Sequence, residues 1–250
     1  YGANFSTYLD APMVVSALVG NGNYTVAFGK LGVGYSDVAD VADAAYPVVW
    51  VRGAVGAVGY PQSATASYVK AVDNGIPRVF PLRNGHYVVV RSDWGPSSSR
   101  RGAVSWGNGT TGLAGPVDAS NALTGSNDED FVGNGGVIPL ANGNYVVVSR
   151  SFGYRSSTAF GGLTWMNGGA PASGVANLAN TRIAPYGPAR ERITWHAIPL
   201  ANGHYFVGMP NLQSTKEGGW SWGNGRASSS GVFNATNTVI GEPGEFLGGN

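Results

Sequence analysis

"PLANGNYVVVSR" occupies residues 139–150, and "PLANGHYFVGMP" occupies residues 199–210. A third version, "PLRNGHYVVVRS", runs over 81–92, and a faded fourth, "ALVGNGNYTVAF", over 17–28. The stretch decides the fold because it is repeated, and repetition at a fixed period is the mark of an array of similar units. The Asn-Gly pairs fall at Asn21-Gly22, Asn84-Gly85, Asn142-Gly143 and Asn202-Gly203, at intervals of 63, 58 and 60 residues. A tryptophan follows each pair, at Trp50, Trp106, Trp165 and Trp222. Three of the tryptophans lead into a matching turn: "SWGNG" at 105–109, "TWMNG" at 164–168 and "SWGNG" at 221–225. A third landmark comes later, as "SNALTG" from Ser120, "ANTRIA" from Ala179 and "TNTVIG" from Thr236.

Each landmark has a strand reading. Apolar residues before Asn-Gly (Val137, Ile138, Leu140) make a short first strand. Asn-Gly between β-rich runs predicts a hairpin, with a type I′ turn and positive φ at both central residues. The β-branched run "NYVVVS" suits a second strand buried on both faces. The Trp segment supplies a third strand, and the residues beyond the Gly-rich turn supply a fourth. Four antiparallel strands in each of four units of about sixty residues predict an all-β repeat protein, foremost a four-bladed β-propeller. An open β-repeat array is the alternative. The units run approximately over 13–75, 76–133, 134–193 and 194–250 within a single repeat domain, 1–250. "SDVADVADAA" (36–45) is an insertion expected to form a helical turn or two, and the first repeat has lost its Gly-rich turn after Trp50.

Composition agrees with short strands joined by turns. Gly accounts for 40 of 250 residues, and only 12% are charged. The formal net charge is +1, which gives no clustered basic face for nucleic acid. No apolar run reaches the length of a membrane-spanning helix, and no signal peptide is legible. Opening on Tyr1 rather than Met reads as a mature or excised piece. With no cysteine, disulfides and thiolate metal sites are excluded. Low charge with abundant Gly, Ser, Thr and Asn points to an extracellular or cell-surface setting.

The strings "LANGNYVVVS", "GAVSWGNGTTGLAGPVDASNALTGS" and "DFVGNGGV" resemble the repeats of bacterial surface proteins of the filamentous-haemagglutinin type. The resemblance is close over 81–138, good over 139–250 and poor over 1–80. It implies a secreted bacterial surface module and supplies no catalytic residues.

The sequence offers little chemistry of its own. "GNGTTG" (107–112) fits a dinucleotide fingerprint, but the proline-containing continuation "LAGPVDASN" lacks the helix that would hold a pyrophosphate. Three histidines, His86, His196 and His204, give no zinc spacing and no triad. His86 and His204 share the repeat position of Asn23 and Asn144, which marks a polar group beside the hairpin turn. Asp128 and Asp130 in "SNDED" carry the oxygens that calcium favours, so calcium is the alternative to no cofactor at all. Ligand-binding residues are expected on the variable loops, where Tyr35, Trp94, Phe152, Tyr154 and Trp220 accompany Arg100, Arg101 and Arg155. These expectations combine into a non-enzymatic extracellular module that binds a glycan or surface protein in adhesion. A self-assembling subunit of a fibre, sheath or matrix is the second reading. A propeller enzyme acting on polysaccharide is the third, and it requires facing acids from among Asp128, Asp130, Glu191 and Glu245.

Overall fold

The structure, a computed structural model, describes residues 13–29, 44–54, 66–70, 76–96, 98–153, 159–185, 196–209 and 217–245. It is an all-β repeat protein with mixed sheets. The first unit holds β1 (Met13–Ala17), β2 (Tyr24–Phe28), β3 (Ala44–Val51) and β4 (Ala66–Lys70). The second holds β5 (Arg78–Pro81), β6 (Tyr87–Arg91), β7 (Ala103–Gly107), β8 (Gly115–Pro116) and β9 (Ala122–Gly125). The third holds β10 (Gly136–Pro139), β11 (Tyr145–Ser149), β12 (Ala159–Met166), β13 (Gly174–Ala176) and β14 (Thr181–Pro185). The fourth holds β15 (His196–Pro199), β16 (Tyr205–Met209), β17 (Gly219–Gly223), β18 (Gly231–Val232) and β19 (Val239–Ile240). Ala44 and Ala45, at the end of the expected helical insertion, begin β3; the rest of that insertion lies outside the described residues.

The expected four antiparallel strands are present in each unit, and a fifth strand joins three of the sheets. In the second unit β5, β6, β7 and β9 pair antiparallel in that order, and β13 of the third unit adds to β9 in parallel. In the same way β8 of the second unit adds to β4 of the first, and β18 of the fourth adds to β14 of the third. Each of these units therefore lends a short strand to the sheet before it and then returns to complete its own. No strand among the described residues adds to β19, so the fourth sheet stops at four.

The core lies between consecutive sheets. Alternate residues of a second strand face opposite neighbours, because successive side chains of a strand point to opposite sides. Tyr87 and Val89 pack with Val48 and Trp50 of the first unit. Val88 and Val90 pack with Val137, Tyr145 and Val147 of the third. Val146 and Val148 in turn meet Tyr205, Val207 and Met209 of the fourth. All five residues of β6 and of β11 are buried, as a strand covered on both faces requires. At some 0.8 kcal/mol per buried CH2, no unit could keep such a strand dry alone, so stability resides in the junctions.

Candidate functional site

The hairpin turns differ from the expected type I′. Leu82 N–H donates to His86 O (2.8 Å) and Gly85 N–H to Leu82 O (3.2 Å), which encloses a three-residue loop, Arg83-Asn84-Gly85. Leu140 with Gly143 and Leu200 with Gly203 repeat the pattern. Only the glycine of each Asn-Gly pair has positive φ, at 86° for Gly85, 88° for Gly143 and 85° for Gly203. This is a type I turn closed by a left-handed glycine. A two-residue loop was the wrong count because the residue before Asn belongs to the turn and not to the strand.

The extra residue turns the asparagine toward the next unit. Its Oδ1 accepts the N–H two residues on: Asn84 from His86 (3.2 Å), Asn142 from Asn144 (3.1 Å) and Asn202 from His204 (3.1 Å). Its Nδ2 is then free to donate outward. Asn21 donates to Gly109 O (2.9 Å), Asn84 to Gly168 O (2.8 Å) and Asn142 to Gly225 O (2.7 Å), in each case across a unit boundary. The recurring tryptophan donates to the same oxygen. Trp50 Nε1 reaches Gly109 O at 3.1 Å, Trp106 Nε1 reaches Gly168 O at 2.8 Å and Trp165 Nε1 reaches Gly225 O at 2.9 Å. Where the next position is Asn, a third donor arrives: Asn23 Nδ2 on Gly109 O (2.8 Å) and Asn144 Nδ2 on Gly225 O (2.9 Å). One buried carbonyl thus takes two or three donors from the preceding unit.

The glycine that carries this carbonyl is fixed from within its own unit. A Cβ on Gly109, Gly168 or Gly225 would lie 1.7, 1.8 or 1.7 Å from the carbonyl oxygen of Gly85, Gly143 or Gly203. Its N–H donates to the Asn/His position: Gly168 to Asn144 Oδ1 (3.1 Å), Gly109 to His86 Nδ1 (3.1 Å) and Gly225 to His204 Nδ1 (3.2 Å). His86 and His204 also lie against Trp106 and Trp222, with ring centroids 4.7 and 4.8 Å apart. They are polar partners of the turn, and burial holds the His86 imidazole below its ordinary value. Gly53 matches this arrangement, with its N–H on Asn23 Oδ1 (3.1 Å) and a Cβ position 1.8 Å from Gly22 O. The first unit has therefore kept the turn in its working part, although "WVRGA" replaces the Gly-rich sequence.

The third landmark builds the loop between the lent strand and the returning one. Asn180 Oδ1 accepts from Asn177 N–H while its Nδ2 donates to Val175 O. Asn121 and Asn237 repeat both contacts, on Asp118 with Pro116 and on Asn234 with Val232. The "GNGTTG" stretch is another turn, with Asn108 Oδ1 accepting from Thr110 and Thr111 N–H.

The loop residues expected to bind ligand are dispersed. Trp94 packs beside Ala103, Val117 and Ala122 and donates from Nε1 to Val117 O (3.1 Å). Phe152 is a buried member of the core between the second and third units. Arg100 lies over the Phe131 ring and pairs with Glu129 (3.3 Å), and Arg101 pairs with Asp128 (3.2 Å). Both arginines remain about half exposed. Trp220 sits in β17, on the same face as Trp222. Tyr35, Tyr154 and Arg155 lie outside the described residues.

The acid candidates are engaged as well. Asp130 is buried; its Oδ1 accepts Gly153 N–H, and its Oδ2 accepts Asn127 N–H and Ser126 Oγ–H. Burial pushes its carboxyl upward against those hydrogen bonds. Glu245 accepts Glu242 N–H at 2.7 Å, and Glu191 lies outside the described residues. No group of three or more His, Asp or Glu residues among the described ones is arranged to hold a metal ion.

Sequence reasoning overlooked the junction itself. Asn21, Asn84, Asn142 and the tryptophans are recurrent in the sequence, but their partners lie 59 to 88 residues away, beyond any local pattern.

Fold and junction together define a strand-lending all-β repeat protein whose units lock by a shared carbonyl. The chain belongs to the family described as Repeat of unknown function (DUF5650), which it matches over residues 81–134, 139–183 and 199–245, more than half of its length. These segments are the second, third and fourth units. No curated protein matches the chain.

Proposed function

We propose that this chain is a non-enzymatic, extracellular structural module whose purpose is assembly, as a subunit of a fibre, sheath or matrix. The observation that carries this reading is the junction. Three times over, the same donors, the same glycine carbonyl and the same lent strand join one unit to the next. The architecture that fits best is an open series of four blade-like units rather than a closed propeller ring. Gly53, at the first unit's outer turn, and Trp222, on the fourth unit's outer face, are both exposed, which supports the open series. The extracellular setting draws on the low charge and on the resemblance to bacterial surface repeats. Adhesion to a glycan or surface protein is the second reading. It is supported by the exposed Arg100 and Arg101 and by the aromatic face that holds Trp220 and Trp222.

Light scattering on size-fractionated protein over a concentration series tests the choice. Mass that grows with concentration is expected. A constant monomer mass, with retention on a glycan array, would replace assembly by adhesion.

A further inference from the structure

The fourth unit carries a complete set of junction donors that nothing among the described residues uses. Its residues are those of the second unit in the same order: Asn202, His204 and Trp222 stand where Asn84, His86 and Trp106 stand. The set is also already formed. Asn202 Oδ1 holds His204 N–H as Asn84 holds His86, and His204 lies on Trp222 as His86 lies on Trp106. In the second unit the Asn84 and Trp106 donors both end on Gly168 O at 2.8 Å. In the fourth, Asn202 Nδ2 and Trp222 Nε1 have no acceptor among the described residues.

The surface around this set is bare in the same pattern. Trp106 is 9% exposed and Trp222 49%; Val88 and Val146 are fully buried, and their counterpart Phe206 is 41% exposed. Leu123 of β9 is 1% exposed, and Val239, at the matching register of β19, is 68% exposed. Ile198, paired with Phe206, is half exposed and completes an apolar row across three strands, Ile198–Phe206–Trp222. The opposite end of the molecule offers the complement. Met13 and Val15 of β1 are each 58% exposed. Val15 stands at the register of Val79, which packs into the junction between the first two units. Gly53 has the local geometry of Gly168, and it is exposed where Gly109, Gly168 and Gly225 are buried.

We infer that the free face of the fourth unit receives the first unit of a second copy of this chain, with Asn202 Nδ2 and Trp222 Nε1 donating to its Gly53 carbonyl. The inference rests on the assembly reading and gives that reading a site and a direction. The contact is head-to-tail: donors sit at one end and the acceptor at the other, so it propagates instead of closing a two-fold dimer. The occupant follows from continuity, because three junctions inside the molecule already join this kind of face to this kind of turn.

Two end-blocked variants test it. Asn202→Asp keeps an oxygen for His204 N–H and replaces the donor by an atom that repels a carbonyl. Val15→Lys puts a charge into the apolar face at the other end. Each is expected to lower the association constant at least tenfold by sedimentation while leaving the monomer's melting temperature unchanged. Mixed at equal concentration, they are expected to form a 1:1 heterodimer, since each keeps the end that the other lacks. Wild-type association that Asn202→Asp leaves intact would overturn the site while sparing the assembly reading. A monomeric wild type would overturn both. If Asn202→Asp then lowered the monomer's melting temperature, the occupant would be the chain's own first unit.

Discussion

Gly168 and Gly169 are adjacent, yet alanine should be costly at the first and nearly neutral at the second. A Cβ on Gly168 would sit 1.8 Å from Gly143 O, a backbone atom that no rotamer change can move. Relief to an ordinary contact requires the two turns to part by roughly 1.6 Å. The Gly168 carbonyl moves with its turn, away from Asn84 Nδ2 and Trp106 Nε1, each now at 2.8 Å. Losing two hydrogen bonds at about 1 kcal/mol each, with some 1–3 kcal/mol of overpacking, puts the cost near 4 kcal/mol. For a chain of this size that is a fall on the order of 10 °C in melting temperature. At Gly169 the nearest atom to a Cβ is Asn167 Oδ1 at 3.4 Å, φ is not in the left-handed region, and the site is exposed. Gly169→Ala should therefore lie within about 1 kcal/mol of wild type, with a gain if the unfolded chain is stiffened. Thermal unfolding followed by circular dichroism, with urea titration of the same samples, decides it. Equal melting temperatures for the two variants would refute the claim that the turn glycines are locked against each other.

Three further outcomes follow from the same contacts. Asp130 accepts at both carboxyl oxygens, so Asp130→Asn sets a donor against an N–H and should cost about 1–3 kcal/mol in urea denaturation; no loss would mean that the corner rearranges. His86 must be neutral for Nδ1 to accept from Gly109 N–H, and burial holds its pKa below the ordinary 6.5. The unfolded chain then takes the proton first. The stability that neutral His86 contributes is full above about pH 6.5 and is lost as pH falls through the lower folded value, so melting curves across pH 5–7 should flatten in His86→Asn. Asn202 should deamidate before Asn21, Asn84 and Asn142 in aged samples mapped by mass spectrometry. Its amide donates to nothing among the described residues, whereas the other three are held on a carbonyl.

The strands were legible because their signals are local. "NYVVVS" reads as a strand covered on both faces from its β-branched run alone, and every residue of β11 is buried. Asn-Gly located the hairpins but not their type, since a turn of three residues and one of two differ only in whether the residue before Asn pairs. The lent strands were missed for another reason. Gly115–Pro116, Gly174–Ala176 and Gly231–Val232 are two or three residues long and pair with a different unit, so no alternation announces them. Trp94 and Phe152 show the same limit at the level of side chains. An aromatic residue in a loop reads alike whether it faces a ligand or, as Phe152 does, the core beneath it.

The repeat thus uses its asparagines for two tasks that composition alone would assign to turns. Oδ1 closes the hairpin within a unit, and Nδ2 is spent on the neighbour. Ala or Asp at that position could satisfy at most the first task, which gives Asn142 a reason beyond turn propensity. The arrangement also has polarity. Donors always come from the earlier unit and the carbonyl from the later one, while the lent strand runs the other way, from the later unit to the sheet before it. Both links at a boundary, the donors on the carbonyl and the parallel strand pair, must be broken for one unit to slide on the next. Phe206, Trp222 and Val239 are exposed where their counterparts Val88, Trp106 and Leu123 are covered by the third unit, and not because their own strands are irregular, since β16 and β17 pair in full register from Tyr205 to Met209.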